Sequence, residues 1–492
     1  MKLYSTLSGV EEEFVPSGSL VKMYVCGITP YAPSHIGHAL SYVVFDVLRR
    51  YLEFQGYHVR HVQNFTDIDD KIIDRASLEG VPYTEISSRY IEEYNEVMGI
   101  LHIKPAHEYP LATESIPRMI QIIGDLIDKQ YAYAADGDVY FRVTKDEHYG
   151  KLSRRSVESM IAGARVEPLQ GKEHPMDFTL WKSSKPGEPS WESPWGYGRP
   201  GWHIECSAIA LDYLGPSIDI HGGGLDLVFP HHENEIAQSE SHTGVIPFSR
   251  HWVHNGLLNF GENKMSKSLG NLVTVSQALK HHSVDALRLY FLSSHYRSPL
   301  NYSELGLSAM ERAVDRLRTA VHQDQGIGEE SIDPSSYETE FFSAMDSDLN
   351  TPQAIAALFN LAHKINRARD QGLKVDSAQQ SLRTLGGILG LTLTVTTDYE
   401  NLPLERLRTF FTDFGKVLNS SGHHELENWI VTHLGTKKPE ILIETLLAIR
   451  QELRQIREYE LADSIRHGLV ELGISVEDSQ KKTTWAYRPN PS

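Results

Sequence analysis

The chain has 492 residues, 40% of them hydrophobic and 23% charged, and its 65 acidic and 47 basic side chains leave a formal net charge of −18. That length exceeds what one core organises, so about three domains are expected, and the balance excludes a disordered or fibrous chain. No run approaches the roughly 20 apolar residues that cross a bilayer, the start MKLYSTLSGVEEEF has no signal-peptide core, and two cysteines cannot build a disulfide framework. A cytoplasmic protein with no membrane contact is expected. The acidic balance argues weakly against broad nucleic-acid affinity but does not exclude a local basic surface.

In chain order, residues 20–26 (LVKMYVC) read as a buried strand running into Gly27. From residue 36 to 54, Leu40, Val43, Val44, Val47, Leu48 and Tyr51 recur at helical spacing. Strand, glycine turn and helix open a βαβ unit. A second strand over 59–65 leads through the acidic turn TDIDDK to a helix from Ile72. Residues 115–200 change character, with strand-like DGDVYFRV and a loop rich in Pro, Trp and Gly, and read as an insertion. The α/β pattern resumes at Trp202 and runs to about Phe291. It includes DIHGGGLDLVFPHHENEIAQ, a strand, a glycine-rich loop and a helix. From Leu305 the pattern is almost wholly helical, while polar stretches at 394–401 and 420–438 read as linkers or variable loops.

Several residues carry chemistry. His35 and His38 stand where the first helix begins, and a helix N-terminus attracts anions. Gly37 between them lets a flat ligand lie against the backbone; a capping or core role is the plainer reading. In KMSKSLGN, Lys264 and Lys267 could neutralise charge on a leaving pyrophosphate, although a bare Lys-x-x-Lys is usually solvated surface. Both cysteines, Cys26 and Cys206, fall at βα junctions of one domain, and His231 and Glu235 of PHHENE are four residues apart on one helix face. All four are zinc-ligating types, where a free cysteine is otherwise a small buried hydrophobe. A zinc peptidase is set aside because HHENE lacks the His-Glu-x-x-His order.

His35-Ile36-Gly37-His38 and Lys264-Met265-Ser266-Lys267-Ser268 together resemble, in order, the two signature motifs of class I aminoacyl-tRNA synthetases. With MYVCG, NFTDIDDK, GWHIECSA, DIHGGGLDLVFPHHENEIAQ and DALRLYFL in family order over residues 23–292, the chain resembles the cysteinyl-tRNA synthetase family. Weaker similarity continues through DLNTPQAIAALFNL to LADSIRHGLVELGISVEDS. The resemblance implies an α/β protein: a Rossmann-type parallel-sheet catalytic domain with an insertion, then a helical bundle and a small C-terminal anticodon-binding module. The expected boundaries are 1–114 and 201–304 for the two catalytic halves, 115–200 for the connective-peptide insertion, 305–395 for the bundle and 396–492 for the anticodon-binding region.

The implied activity joins L-cysteine to tRNA(Cys) through an ATP-derived adenylate, in a monomer with one Zn2+ per chain and Mg2+ accompanying ATP. By the resemblance Cys26, Cys206, His231 and Glu235 hold the zinc. His35, His38, Lys264 and Lys267 stabilise the transition state. Gly37, Gly224, Asp226 and Lys267 contact ATP, and Thr66, Trp202 and His221 line the cysteine pocket. Plainer roles stand beside these: Thr66 and Asp67 as a helix cap, with Asp69 and Asp70 favouring the dipole, Trp202 as core and Asp226 as a turn residue. Glycines 222–224 read as close approach of backbone to nucleotide. The chain departs from the family pattern at Ile28-Thr29-Pro30-Tyr31-Ala32-Pro33 and at Leu40, where arginine is common.

Zinc has a physical reason in such an enzyme. An apolar pocket separates –OH from –SH by only about 10²-fold where translation needs about 10⁴ to 10⁵. The gap is about 3–4 kcal/mol, and a soft thiolate binds the metal far better than a hydroxyl. Two rivals share the motifs. A ligase joining cysteine to an amino sugar lacks the long helical region after DALRLYFL. A catalytically silent, nucleotide-binding paralogue would have lost a lysine or a ligand, and none is missing. Residues 450–492 carry seven basic and seven acidic side chains, a balance permissive for RNA.

Overall fold

Two short strands, β1 (Lys2–Ser5) and β2 (Val10–Glu13), pair as a hairpin before the first long strand, β3 (Leu20–Ile28). The computed structural model describes residues 1–157, 159–160, 171–260, 263–264, 273–322, 330–394, 402–436, 438–478 and 483–487. They fall into two units, 1–393 and 394–492.

In the first unit, β3 leads to helix α1 (Ile36–Phe54) and then β4 (His58–Phe65). Every apolar position that marked α1 by its spacing is buried. Helices α2 (Asp70–Glu79), α3 (Tyr83–Ile100) and α4 (Ile116–Asp128) precede an antiparallel sheet of β5 (Ala132–Ala135), β6 (Asp138–Phe141), β7 (Phe178–Ser183) and β8 (Gly198–Pro200). The chain then returns through α5 (Trp202–Leu214), β9 (Ile218–Gly224), α6 (Glu233–Thr243) and β10 (Ser249–Asn255). Strands β10, β9, β3 and β4 pair in that order, all parallel. The chain steps from β3 to β4 on one side and later fills β9 and β10 on the other. The order therefore reverses between β3 and β9, and the crevice at their carboxyl ends is where such sheets bind ligands.

Strands β11 (Leu258–Phe260) and β12 (Asn263–Lys264) follow, then α7 (Val275–Leu279), α8 (Val284–Leu292) and β13 (Leu300–Tyr302). Helices α9 (Glu304–His322), α10 (Ser335–Asp346), α11 (Thr351–Asp370) and α12 (Asp376–Ile388) complete this unit. No helix among the described residues is long and apolar enough to cross a membrane. The second unit holds α13 (Leu404–Ser420), α14 (His424–His433), α15 (Pro439–Gln455), α16 (Tyr459–Glu471) and the hairpin β14 (Ile474–Asp478) with β15 (Thr483–Tyr487). Its core gathers Leu407, Phe411, Ile430, Leu442, Ile465 and Ile474.

The reading of 420–438 as a polar linker is corrected by α14. Ile430 alone on that helix is buried, where it packs against Gly415 of α13, so the apolar period stays below the polar background. Of the other polar stretch, residues 395–401 lie outside the described residues. Helix α2 begins at Asp70, with Asp69 accepting from the Lys71 N–H at 2.9 Å. Thr66 and Asp67 are therefore not its cap; Asp67 instead accepts from the Thr113 N–H and hydroxyl.

A buried ion pair ties the sheet helices to the later ones. Arg288 of α8, wholly buried, donates to Asp46 of α1 at 2.5 Å, to the Leu101 carbonyl at 2.9 Å and to the Leu389 carbonyl at 2.9 and 3.1 Å. Gly390 (φ +72°) is required there, since a Cβ would lie 2.0 Å from the guanidinium. Burial opposes the charge on Asp46, but Arg288 and Arg50 outweigh it and hold the carboxyl below its ordinary range. Its stabilisation is thus present above the ordinary carboxylate range and lost as pH falls through the depressed value. Asp46→Ala strands the Arg288 charge and should cost about 3–5 kcal/mol, read as a lower denaturation midpoint; an unchanged midpoint would refute this account of the pair.

Candidate metal centre and active site

The site begins at an irregularity in β3. The register between β3 and β4 shifts between Val25 and Ile28, a bulge that re-aims the side chains beside it. Gly27 is obligatory, because a Cβ there would fall 1.5 Å from the Asn64 carbonyl oxygen. Asn64 Oδ1 accepts from the Gly27 N–H at 2.9 Å and from the Tyr24 hydroxyl at 3.0 Å. These contacts set Cys26 at the carboxyl end of β3, facing α5 and the turn before α6.

Four side chains from three segments converge. The Cys26 and Cys206 sulfurs are 3.8 Å apart, and Cys26 Sγ lies 3.5 Å from Glu235 Oε1. His231 Nε2 meets the same Glu235 oxygen at 3.0 Å, and Cys206 hydrogen-bonds with His231. His231 belongs to a wide turn, Val228–His232, that α6 continues, so the four-residue spacing keeps it over Glu235. All four are buried.

The four groups shift one another strongly. The Cys26 hydrogen bond holds the Cys206 thiol down to about 6, while burial pushes Cys26 up. Burial raises Glu235, but His221 and His231 outweigh it and hold the carboxyl at about 2. Burial also disfavours charge on His231, yet Glu235 and Cys206 push it up to about 10. Two sulfurs, an imidazole and a carboxylate, all on buried atoms, are a donor set that fits a metal ion of borderline softness. The donors of Cys26, His231, His232 and Glu235 lie within 4.8 Å of one another.

His232 was missed from the sequence, although it adjoins His231. Its Nε2 lies 3.2 Å from Cys26 Sγ, its Nδ1 meets His254 Nε2 at 2.7 Å, and His254 Nδ1 meets the Thr6 hydroxyl at 2.7 Å. The chain is satisfied end to end when Thr6 donates to His254, His254 to His232 and His232 to the sulfur. That orientation makes His232 a hydrogen-bond donor to Cys26. His231 has the complementary arrangement: His203 engages its Nδ1 at 2.9 Å and leaves Nε2 for the centre.

The remaining sequence-predicted residues surround this cluster unevenly. His221 is wholly buried, 2.8 Å from Glu235 Oε2 and stacked on Trp252, so it orients the carboxylate. Thr66 is buried and hydrogen-bonds Glu205, whose own carboxyl burial pushes well up. Trp202 is not core: it is 42% exposed, and its ring stacks on His231 at 4.4 Å. His35 caps α1 by accepting from the His38 N–H, and the two imidazoles stack at 3.6 Å. Ile36 donates to the Val273 carbonyl and His35 bridges Thr274. Residues just beyond the KMSKS stretch thus lie beside the helix start, while Lys264 pairs with Asn259 at its other flank. Lys267 lies outside the described residues.

Leu40 is buried in the core, and Asp226 is exposed in a single turn after Gly224. The glycine reading needs correction. A Cβ at Gly222 would lie 2.3 Å from the Phe45 ring and one at Gly223 2.8 Å from His232. Protein side chains demand both glycines.

Residues 14–312 match the family described as "tRNA synthetases class I (C) catalytic domain", and 340–394 match the DALR domain. In fold the chain is similar to Mycobacterium tuberculosis methionyl-tRNA synthetase bound by methionyl-adenylate, with a TM-score of 0.53 at 16% identity over 76% of this chain and 89% of that one. Sheet, switch point and the paired histidine motif therefore define a class I aminoacyl-tRNA synthetase. A cysteine–tRNA ligase of Dehalococcoides mccartyi is 50% identical over 491 residues, and one of Persephonella marina 44% identical over 496, each match covering 99% of both chains. The chain belongs to the cysteine–tRNA ligase family.

Ligand and donor separate experimentally. With Cys26, Cys206, His231 and Glu235 proposed as the donors of a metal ion, Cys206→Ala should lose the metal, because three donors bind less tightly than four. His232→Ala should retain the metal with affinity about 10–100-fold weaker, the cost of removing an outer-shell partner. Metal analysis with chelator competition reads both; full occupancy in Cys206→Ala would refute the ligand set.

Proposed function

We propose that this chain activates L-cysteine with ATP and transfers it to the 3′ end of tRNA(Cys). The observation that carries the reading is the convergence of Cys26, Cys206, His231 and Glu235 at the switch point of a class I synthetase sheet. A zinc ion held by these four residues would supply a soft Lewis acid that favours a thiolate over a hydroxyl. Trp202, stacked on His231 and partly exposed, and Thr66, held by Glu205, are the walls available to the rest of the amino acid.

In activation a carboxylate oxygen of cysteine forms a bond to the α-phosphorus of ATP, and the bond to pyrophosphate breaks. Such chemistry depends on positioning and on neutralising charge more than on a protein nucleophile. The start of α1, with His35, His38 and the N-terminal dipole, faces that charge. Lys264 and Lys267 belong to a segment with one described flank against His35, which supports their action on the leaving phosphates. Mg2+ accompanies the nucleotide, and Gly224 and Asp226 hold its ribose. A terminal ribose hydroxyl of the tRNA then attacks the acyl carbon and AMP leaves. We place the activity in the cytoplasm.

The amino-sugar ligase reading is disfavoured by the helices from α9 onward and by the second unit with its own core. Cysteine-dependent ATP–pyrophosphate exchange tests activation, and exchange with cysteine should exceed that with serine by about 10⁴-fold. Comparable rates for the two would sink the thiol reading. Purified tRNA should then accept labelled cysteine; acceptance by an amino sugar instead would transfer the assignment to the rival.

A further inference from the structure

The serine that precedes the paired histidines is held by a residue outside either signature motif. Ser34, 1% exposed, stands immediately before His35, the cap of α1. Its N–H donates to both carboxylate oxygens of Glu93, at 3.2 and 3.1 Å, and its hydroxyl donates to Glu93 Oε2 at 2.9 Å. Glu93 reaches it from α3, 59 residues along the chain. A glutamate on a helix surface ordinarily pairs with a cation one turn away. Arg89, one turn before it on α3, pairs with Glu79 and Glu85 instead. Among the described residues the half-buried Glu93 has no ion-pair partner, and its carboxylate serves one serine. Helix α3 is already held by Tyr94, Val97 and Met98 in the core it shares with α1. Glu93 therefore adds placement to a helix that burial has fixed.

Ser34 passes the constraint on. Its carbonyl accepts from the Val275 N–H at 3.1 Å, and the Ile36 N–H donates to the Val273 carbonyl at 3.1 Å. These two bonds frame the antiparallel bridge between His35 and Thr274. Thr274 is fixed from its far side as well. It caps α7 by accepting from the Gln277 N–H at 3.1 Å, while Gln277 Oε1 accepts from the Thr274 N–H at 2.9 Å. One carboxylate thus holds the point where the histidine pair meets the chain that follows Lys264-Met265-Ser266-Lys267-Ser268.

We propose that Glu93 is a positioning residue for adenylate formation: through Ser34 it sets the register between the paired histidines and the lysine-bearing segment. Resting on the proposed function, this role adds to it a side chain that touches neither substrate. The histidines and lysines act by meeting developing charge on the same phosphates, so their relative placement decides the rate. A carboxylate suits the task. It accepts both donors of one residue, and such charge-assisted bonds are about twice as strong as neutral ones. It also stands at the N-terminal side of α1, where the helix dipole favours negative charge.

The test is ATP–pyrophosphate exchange by the full-length enzyme. Glu93→Ala should lower kcat about 10–100-fold, the cost of a small misplacement of catalytic groups. The KM for cysteine and the metal content should stay at wild-type values, because the thiol site lies on β3, α5 and α6. Glu93→Gln, whose amide oxygen can still accept from Ser34, should recover most of the rate. Ser34→Ala keeps its N–H, so it should cost less than Glu93→Ala and add little in the Glu93→Ala background. A lower denaturation midpoint with unchanged kcat in the folded enzyme would make Glu93 a structural strut and overturn the inference. A glutamine variant as slow as the alanine one would overturn it too, by assigning the effect to the negative charge. Wild-type enzyme with no cysteine-dependent exchange would bring down the proposed function, and this role with it.

Discussion

Two sulfur atoms 180 residues apart in the chain lie 3.8 Å from each other inside the protein, and much of the first unit's architecture exists to keep them there. Burial penalises charge on both sulfurs and on the Glu235 carboxylate beside them, and the three oppose one another, so the imidazoles are needed to offset them. Asn64 resolves the strand side by accepting from Gly27 and Tyr24, and the bulge places Cys26 outside the regular ladder. On the helix side, His221 and His231 share the Glu235 carboxylate. Satisfied networks of this kind define one arrangement because any partial version leaves buried polar groups unmatched.

The segment from His231 to Glu235 works on two faces. One contributes a nitrogen and an oxygen to the centre. The other, through Glu233 and Asn234, gathers the backbone of an inserted loop. Five consecutive residues thus join the buried cluster directly to the backbone of an inserted loop. The cluster is also reached from the N-terminal hairpin, by the Thr6–His254–His232 chain that ends at Cys26.

How much could be read beforehand follows from what kind of signal each feature leaves. Helix α1 was legible to its ends because Leu40, Val43, Val44, Val47, Leu48 and Tyr51 repeat with the helical period and all become buried. The convergence of the two cysteines was legible because the chain has only two and both fall at βα junctions. His231 and Glu235, of common types, were legible only from their four-residue spacing and the family resemblance. Roles set by contacts between distant strands left no such trace. Gly222 and Gly223 read as space for a nucleotide, and only the packed structure shows Phe45 and His232 filling it. Trp202 read equally well as core until its stacking on His231 was visible. Thr66 and Asp67 lost their capping reading to Asp69, two residues along, a shift smaller than local sequence can resolve. Helix α14 hid because a single buried residue makes no period.

The Arg288 knot has a mechanical corollary. One guanidinium grips Asp46 in the middle of α1, the Leu101 carbonyl after α3 and the Leu389 carbonyl after α12. Elements at opposite ends of the first unit's sequence therefore turn together about a common pivot. A displacement of the turn after α12 bears on α1 through this one guanidinium. The helix that carries the paired imidazoles is, in that sense, fastened to the last helix of its own unit.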